Sequence, residues 1–442
     1  MTELVKRPLP VIGAPLRCHV ATFGCRVNQA DAEGILSALE SSTFEHTSSP
    51  RDADLVIIQS CTVTHRSDAD IRKLVHRIER ENPRARVIVS GCYAQRDPDA
   101  VAALSGVHGV VGHASASDVL SVATRVLEGQ TPLPLVLHRE LDALGPDELP
   151  PVDPVTVLHD RTRPFVKIQD GCDAHCTYCI IPSVRGRARS ASHERVLSAV
   201  RSLVEQGFIE IVLAGVHLGT YDDNGLGLAD LVARALEVPG LGRLRVSCIE
   251  PMAFPMRLAD LAASDARLAP HFHLPLQSGS DSVLKRMGRP YRSADYLEVM
   301  QELRRKVPRV CLGTDVIVGF PGESDDDFEE TKRVCAESVD YVHAFSYSAR
   351  EGAPSTRLGD ELDPFTIKTR NSELRELSER LFALHLDAQL GKPLNVLTLG
   401  KSAGDTEALS DNYCPVRIRG AHPANRSLDV VPLLREGRSL VV

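Results

Sequence analysis

No stretch of this chain limits its folding as sharply as Lys167-Ile168-Gln169-Asp170-Gly171-Cys172-Asp173-Ala174-His175-Cys176-Thr177-Tyr178-Cys179-Ile180-Ile181-Pro182. Thiolates at C-x3-C-x2-C spacing can wrap one face of a cubic iron-sulfur cluster, whose irons take Cys ligands at four corners. One iron is then left without a protein ligand. Such an iron can chelate the amino and carboxylate groups of S-adenosylmethionine, and an electron passed through it can split the sulfonium to give a 5′-deoxyadenosyl radical. The competing reading is a zinc knuckle with His175 as fourth ligand, since structural zinc takes four N or S donors. The loop follows an apolar strand and precedes Ile180-Ile181-Pro182 rather than a tight ββα hairpin, which favours iron.

A chain of 442 residues exceeds one hydrophobic core, so two or three domains are expected. With 43% hydrophobic and 25% charged residues it has the composition of a soluble globular protein. Met1 to Leu16 contains Pro8, Pro10 and Pro15 and no continuous apolar core. Neither a signal peptide nor a membrane span is expected there, and the cytoplasm is the default compartment. Eleven cysteines in such a chain argue for metal or redox chemistry over a disulfide frame. A net charge of −8 gives no global attraction for nucleic acid, so any RNA contact needs a local basic patch. Trp is absent and aromatics are 4%, so stacking platforms for single strands are scarce.

The first third alternates apolar runs with helical periods. His19 to Phe23 precedes Ala32, Ile35, Leu36 and Leu39; Leu55 to Ile58 precedes Ile71, Leu74, Val75 and Ile78; Val87 to Val89 precedes a short helical stretch near Ala100 to Leu104. This is the grammar of a parallel sheet covered by helices. Cys25, Cys61 and Cys92 each stand just past one of these strands, on the edge where parallel sheets bind ligands. Cysteines far apart in sequence thus converge, the plainer alternative being three small core residues.

With both cysteine sets in view, the chain resembles the methylthiotransferases of the radical S-adenosylmethionine superfamily, and Tyr178 matches the aromatic that precedes the last Cys of the superfamily's loop. The resemblance implies two 4Fe-4S clusters. Cys172, Cys176 and Cys179 would hold the one that cleaves S-adenosylmethionine; Cys25, Cys61 and Cys92 would hold an auxiliary one, also with an open iron, that carries the sulfur to be inserted. It further implies an α/β architecture in three parts. These are an N-terminal three-layer parallel-sheet domain over residues 17–130, a radical S-adenosylmethionine core over 158–390 built as a partial (βα)6 barrel, and a small C-terminal β-barrel over 391–442 resembling the TRAM module.

Residues 130–164 hold seven prolines and read as a linker, drawn at 131–157 with a boundary near 155 and an edge strand at Leu135-Val136-Leu137. Strands are expected at Phe165 to Gln169, Ile209 to Leu213, Leu244 to Ser247, His271 to Leu276, Val310 to Val318 and Tyr341 to Ser346, and barrel sites lie at C-terminal strand ends. Gly215 and His217, in Gly215-Val216-His217-Leu218-Gly219, resemble the turn that recognises the amino group of S-adenosylmethionine, without the usual Gly-Gly-Glu. Ser247 and Glu250 end the next strand, and Gln277 in Gln277-Ser278-Gly279-Ser280 could reach the cofactor ribose or the substrate. Val318 and Gly319, in Asp315-Val316-Ile317-Val318-Gly319-Phe320-Pro321-Gly322-Glu323, resemble the motif flanking the adenine. Singly, each is also explained as a cap or loop former. His271 and His273 share one strand face and read as core histidines, with a metal pair as the alternative; Cys18, Cys248, Cys311, Cys335 and Cys414 read as packing residues.

Arg185, Arg187 and Arg189 follow the cysteine loop, and guanidinium forks spaced by Gly and Ala suit a phosphate backbone; a solvated, salt-bridged loop is the bland alternative. From Lys392 to Arg438 there are seven Lys or Arg against five Asp or Glu, so RNA contact by the C-terminal module rests on resemblance. Gly24-Cys25-Arg26-Val27-Asn28 with Gly186-Arg187-Ala188-Arg189-Ser190 is most similar to the branch acting on N6-threonylcarbamoyladenosine at position 37 of tRNA, beside the anticodon. By that resemblance the adenine receives a methylthio group at C2, one S-adenosylmethionine methylating sulfur on the auxiliary cluster and a second being cleaved. The partners implied are the tRNA anticodon loop and an electron donor such as flavodoxin or ferredoxin. Rival readings are the same reaction on isopentenyladenosine, methylthiolation of an aspartate in a ribosomal protein, and a non-catalytic iron-sulfur or zinc protein that binds RNA.

Overall fold

A computed structural model describes residues 15–113, 115–129, 132–138, 141, 162–402 and 404–442. The start of the chain, most of the expected linker 131–157 and its boundary near 155 lie outside the described residues.

The N-terminal part is a six-stranded parallel sheet in the order Phe44–His46, Leu16–Thr22, Leu55–Ser60, Arg86–Gly91, Val107–Val111, Leu135–Leu137. Alternation along the central strands creates its three layers. Leu55 and Ile57 face the helices Arg26–Glu40 and Ala116–Leu127, while Val56 and Ile58 face the helix His65–Glu81 and the short turns after Gly91. A strand covered on both faces must be apolar throughout, and Leu55–Ser60 is buried at every position. The helix His65–Glu81 starts where Thr64 accepts the Ser67 N–H, and it buries Ile71, Leu74, Val75 and Ile78. The sheet runs past residue 130, because Leu135–Leu137 pairs in parallel with Val107–Val111.

Six further parallel strands follow in chain order: Phe165–Lys167, Glu210–Ala214 and Arg243–Val246 form one sheet, His271–His273, Cys311–Val318 and Tyr341–Ser346 the next. Parallel bridges Leu244 to Leu268 and Cys248 to His273 join the two edge to edge. This is the strand order of a partial (βα)6 barrel, with crossover helices such as His193–Glu205, Leu228–Leu236 and Asp325–Ser338 packed on one continuous apolar core.

After the helix Pro364–Asp387 comes a six-stranded, mainly antiparallel sheet in the order Ser427–Val430, Leu394–Ser402, Asp405–Ser410, Pro415–Ile418, Ser439–Val441, Leu434–Glu436. The sequence suggests three of these strands. The two edge strands do not pair with each other among the described residues, so the module is a sheet rather than the closed barrel expected. It is fastened to the parallel strands by buried charge. Glu210 lies 2.9 Å from Arg243 and 2.8 Å from Arg245, and the same arginines donate to the carbonyls of Asn395 (3.0 Å) and Ser410 (3.2 Å). Burial alone would raise the Glu210 carboxyl, but Arg245 and Arg243 outweigh it and hold the carboxyl down at about 2.

Glu210→Gln leaves those guanidinium groups without their counter-charge, at an expected cost of about 3–5 kcal/mol at neutral pH, seen as a lower urea midpoint. Because the folded pKa lies below the unfolded one, the carboxylate's contribution is complete above about pH 4.5 and fades as the pH falls toward 2. The gap between the two proteins should therefore narrow over that window, and an unchanged midpoint at pH 7 would contradict it.

Candidate iron-sulfur centres at the domain junction

Each N-terminal cysteine occupies the turn between a parallel strand and its helix. Cys25 is the N-cap of the helix Arg26–Glu40, and Cys92 opens the helix Cys92–Arg96. Gly24 has φ +97°, and a Cβ there would sit 2.8 Å from the Cys61 Sγ, so the backbone carrying Cys25 crosses directly over Cys61. Asn28 fixes that crossing by donating to the carbonyls of Phe23 (2.8 Å) and Ser60 (2.9 Å), while its Oδ1 lies 3.9 Å from the Cys92 Sγ. The three thiols perturb one another electrostatically, as groups sharing one pocket do. Burial pushes the Cys61 thiol up and that of Cys92 up to about 12.

The second triplet is shaped by its own loop. Gly171 has φ +71°, and the Arg187 carbonyl lies 1.9 Å from where a Cβ would be, so no other residue fits before Cys172. The thiol of Cys172 accepts the Ala174 N–H and that of Cys179 the Ile181 N–H, both at 3.4 Å. Arg289 donates to the Cys176 Sγ at 3.3 Å and is ion-paired with Glu250. Burial raises the Cys172 thiol and carries that of Cys179 to about 12, so binding iron must release protons from both sets. Three thiols in each set, with amide and guanidinium donors at the second, are a donor set that an iron cube takes.

The two cysteine loops border one space. One cavity of about 210 Å³ is walled by Thr62, Val63 and Thr64, which follow Cys61, and by Tyr178, Cys179, Ile180 and Ile181 of the second loop. Gln277 and Asp315 complete its floor. Cys92 packs against Ile180 and Val184, so the two cysteine loops touch.

What holds them together is a buried ionic cluster. Lys167 contacts Asp31 and lies 3.0 Å from Asp170; Arg185 lies 2.8 Å from Asp170 and 3.1 Å from Asp31, and contacts Asn28. Two carboxylates and two cations cancel. Although burial opposes ionisation, the cations hold both Asp31 and Asp170 below the usual carboxylate range. His113, 3.6 Å from Asp170, is pushed down to about 4 by burial and by Arg185, and stays neutral at pH 7. A second tie sits nearby, where Arg350 donates to Thr62 and Asp68, both at 2.7 Å.

Arg185 is therefore corrected: at 1% exposure it is a strut of the junction and not an RNA contact. Its aspartate partners are spread over two domains, which spacing alone does not reveal. Arg187 is exposed, 3.7 Å from Asp173, and Arg189 donates to the Arg185 carbonyl at 3.3 Å. Among the expected cofactor contacts, Gly215 allows Leu218 and Gln169 to close over it, and the His217 N–H donates to Gln169 at 2.8 Å. Ser247 is buried beside Leu213, and Glu250 is engaged by Arg289. Gln277 lines the cavity at φ +67°. Val318 is buried, and the Gly319 N–H donates to Glu323 at 2.8 Å, so those two shape the loop. His271 and His273 share the Tyr341 hydroxyl at 2.9 and 3.0 Å, and burial pushes His271 well down, as a neutral core histidine requires. Asp31, Lys167, Asp170, Arg289 and Arg350 went unread in the sequence; the available signal was charge placed inside apolar runs, as in Phe165-Val166-Lys167-Ile168-Gln169-Asp170.

Residues 166–335 match the model of the Radical SAM superfamily, and residues 17–112 match that of Uncharacterized protein family UPF0004. The chain is 34% identical over 407 residues to "Threonylcarbamoyladenosine tRNA methylthiotransferase MtaB" of Aquifex aeolicus, covering 90% of this chain and 96% of that one. It is 32% identical over 399 residues to "tRNA-2-methylthio-N(6)-dimethylallyladenosine synthase" of Moorella thermoacetica, covering 88% and 89%. Among solved structures, the radical S-adenosylmethionine methyltransferase TsrM of Kitasatospora setae superposes with a TM-score of 0.58 at 15% identity, over 89% of this chain and 81% of that one, which shows a shared fold. Among the described residues no helix is long and apolar enough to cross a membrane. Identity of this extent along nearly the whole length of both chains decides the family: this chain belongs to the tRNA methylthiotransferases of the radical S-adenosylmethionine superfamily.

Proposed function

We propose that this protein converts N6-threonylcarbamoyladenosine beside the tRNA anticodon to its 2-methylthio derivative. The observation that carries the reading is the single cavity with the Cys61 turn on one wall and the Cys179 loop on the other. A group held between them can be approached from both sides without leaving the site. The relative of that name in Aquifex aeolicus, at 34% identity, favours this substrate.

Cys25, Cys61 and Cys92 would hold one 4Fe-4S cluster and Cys172, Cys176 and Cys179 the other. When bound, with S-adenosylmethionine, these groups supply reductive cleavage to a 5′-deoxyadenosyl radical and the sulfur to be inserted, chemistry that acid-base side chains cannot perform at an unactivated C–H. The chain's own part is placement. Arg289 donates to Cys176 and so fixes where that sulfur stands. Asn28 and Gly24 keep Cys25 over Cys61, and Arg185 ties that turn to the barrel. Val63, Ile180, Ile181 and Phe345 give the cavity an apolar lining that keeps water from a reactive radical. Exposed Arg187, beside the cysteine loop, suits a tRNA phosphate. The electron comes from a donor such as flavodoxin or ferredoxin.

Cys176→Ala is expected to abolish release of 5′-deoxyadenosine from S-adenosylmethionine. Cys61→Ala should keep that release while methylthio insertion into tRNA falls below detection; equal loss of cleavage in both variants would contradict the division of labour. In a strain lacking the gene, mass spectrometry of tRNA nucleosides should show unmodified N6-threonylcarbamoyladenosine where its 2-methylthio form is found in the parent. Loss of 2-methylthio-isopentenyladenosine instead would move the chain to the other substrate.

A further inference from the structure

At the far end of the strand whose Asp315 and Ile317 face the cavity, a second group of ligand-type side chains is enclosed. The Sγ of Cys311, a carboxylate oxygen of Asp340 and a ring nitrogen of His385 all lie within 4.8 Å of one another. Cys414 interacts with both Cys311 and the His385 ring. The four residues come from separate places: the first position of the strand Cys311–Val318, the turn before Tyr341–Ser346, the last turn of the helix Pro364–Asp387, and the turn before Pro415–Ile418. Both cysteines are 0% exposed and His385 is 7% exposed, among the apolar side chains of Tyr341, Phe382 and Leu386.

Packing alone explains this cluster poorly. His385 lies 3.6 Å from Asp340 through Nδ1 and is near enough to Cys311 and Cys414 for their thiols to act on it, but its buried Nε2 makes no well-aligned hydrogen bond among the described residues. A buried ring nitrogen that has only poorly aligned thiols beside it is better satisfied by a bound cation. Two thiols, an imidazole and a carboxylate in a closed space are all donors that zinc accepts in a four-ligand site. Tetrahedral zinc sets its ligands about 3.5 Å apart, so Cys311, Asp340 and His385 need a contraction of about an ångström, and Cys414, which stands outside that 4.8 Å group, must swing in to complete the site. Charge also closes: zinc with two thiolates, a carboxylate and a neutral imidazole carries one negative charge, and the Arg304 guanidinium, 3.0 Å from Asp340, offsets it. Backbone donors orient the ligands, with Leu312 N–H on Asp340 (2.7 Å) and Ser410 Oγ receiving the Cys414 N–H (2.8 Å).

We propose that Cys311, Asp340, His385 and Cys414 form a structural zinc site that clamps the C-terminal sheet to the parallel strands. Cys311 and Asp340 belong to the latter, Cys414 to the sheet, and His385 to the helix that joins them, so metal binding would couple directly to docking of the module.

Full-length protein from zinc-replete growth, loaded anaerobically with iron and sulfide, is expected to retain about one zinc per chain, with two sulfur and at least one nitrogen ligand by zinc-edge X-ray absorption. Cys311→Ser and Cys414→Ser should each lower the retained zinc at least about tenfold with iron content unchanged, since loss of even an outer-shell partner costs about 10–100-fold in metal affinity. Cys335→Ser, at a buried cysteine outside the cluster, should leave zinc as it was. Iron-loaded wild type without zinc, zinc in a sulfur-free shell, or zinc retained in both variants overturns the proposal. If the variants do not fold, the wild-type zinc content and absorption spectrum decide it.

Discussion

Everything at the junction depends on four buried charges that cancel. Asp31 belongs to the first helix of the N-terminal sheet, Lys167 to the first of the later parallel strands, Asp170 to the short antiparallel ribbon Gln169–Asp170 with Arg189–Ser190, and Arg185 to the turn after the cysteine loop. Taking such ions out of water costs several kcal/mol each, and removing one partner from a buried pair costs about 3–5 kcal/mol because the other is stranded. Apolar packing of the same shape could hold two domains together at least as well. What the ionic cluster adds is a defined register, since each carboxylate must meet its cation in one arrangement. That register ties the Cys25 turn, through Asn28, to Arg185 in the segment that follows Cys179.

Opposing demands meet in the thiols. As the proposed ligands, the six cysteines would have to become thiolates, yet burial raises Cys61, Cys92, Cys172 and Cys179 toward the protonated form. A cation of the right size and charge resolves the conflict, so binding free energy and folding free energy are shared at these loops. Positive groups are already placed to help: Arg185 acts on Cys92, and Arg289 donates to Cys176. The arginine nearest the second cysteine loop thus serves the domain register, and Arg187, which is exposed, is left as the one proposed to meet phosphate.

How much of this could be read from sequence follows from the range of each interaction. Strand–helix alternation and the cysteines at strand ends are local patterns repeated along the chain, and Leu16–Thr22, Leu55–Ser60, Arg86–Gly91, Leu135–Leu137 and the six later parallel strands follow them, whereas the short strands Phe44–His46 and Val107–Val111 went unread. The C-x3-C-x2-C loop carries its whole message within itself. Arg185 misled because its partners, Asp31 and Asp170, are 154 and 15 residues away and nothing in an Arg-Gly-Arg run marks which guanidinium turns inward. Cys311 and Cys414 looked like isolated packing residues for the same reason, being brought to His385 only by the docking of a whole module. The C-terminal strands are short and edge-rich, so their number and closure depend on pairing partners that periodicity does not name.

The arrangement of two cysteine triplets across one cavity is tested most directly by iron-edge anomalous diffraction from crystals grown anaerobically with both sites loaded. Two separate four-iron peaks are expected, one against Cys25, Cys61 and Cys92 and one against Cys172, Cys176 and Cys179, on opposite walls of the space lined by Thr62 and Gln277. A single iron peak, or a second peak away from that space, would contradict it.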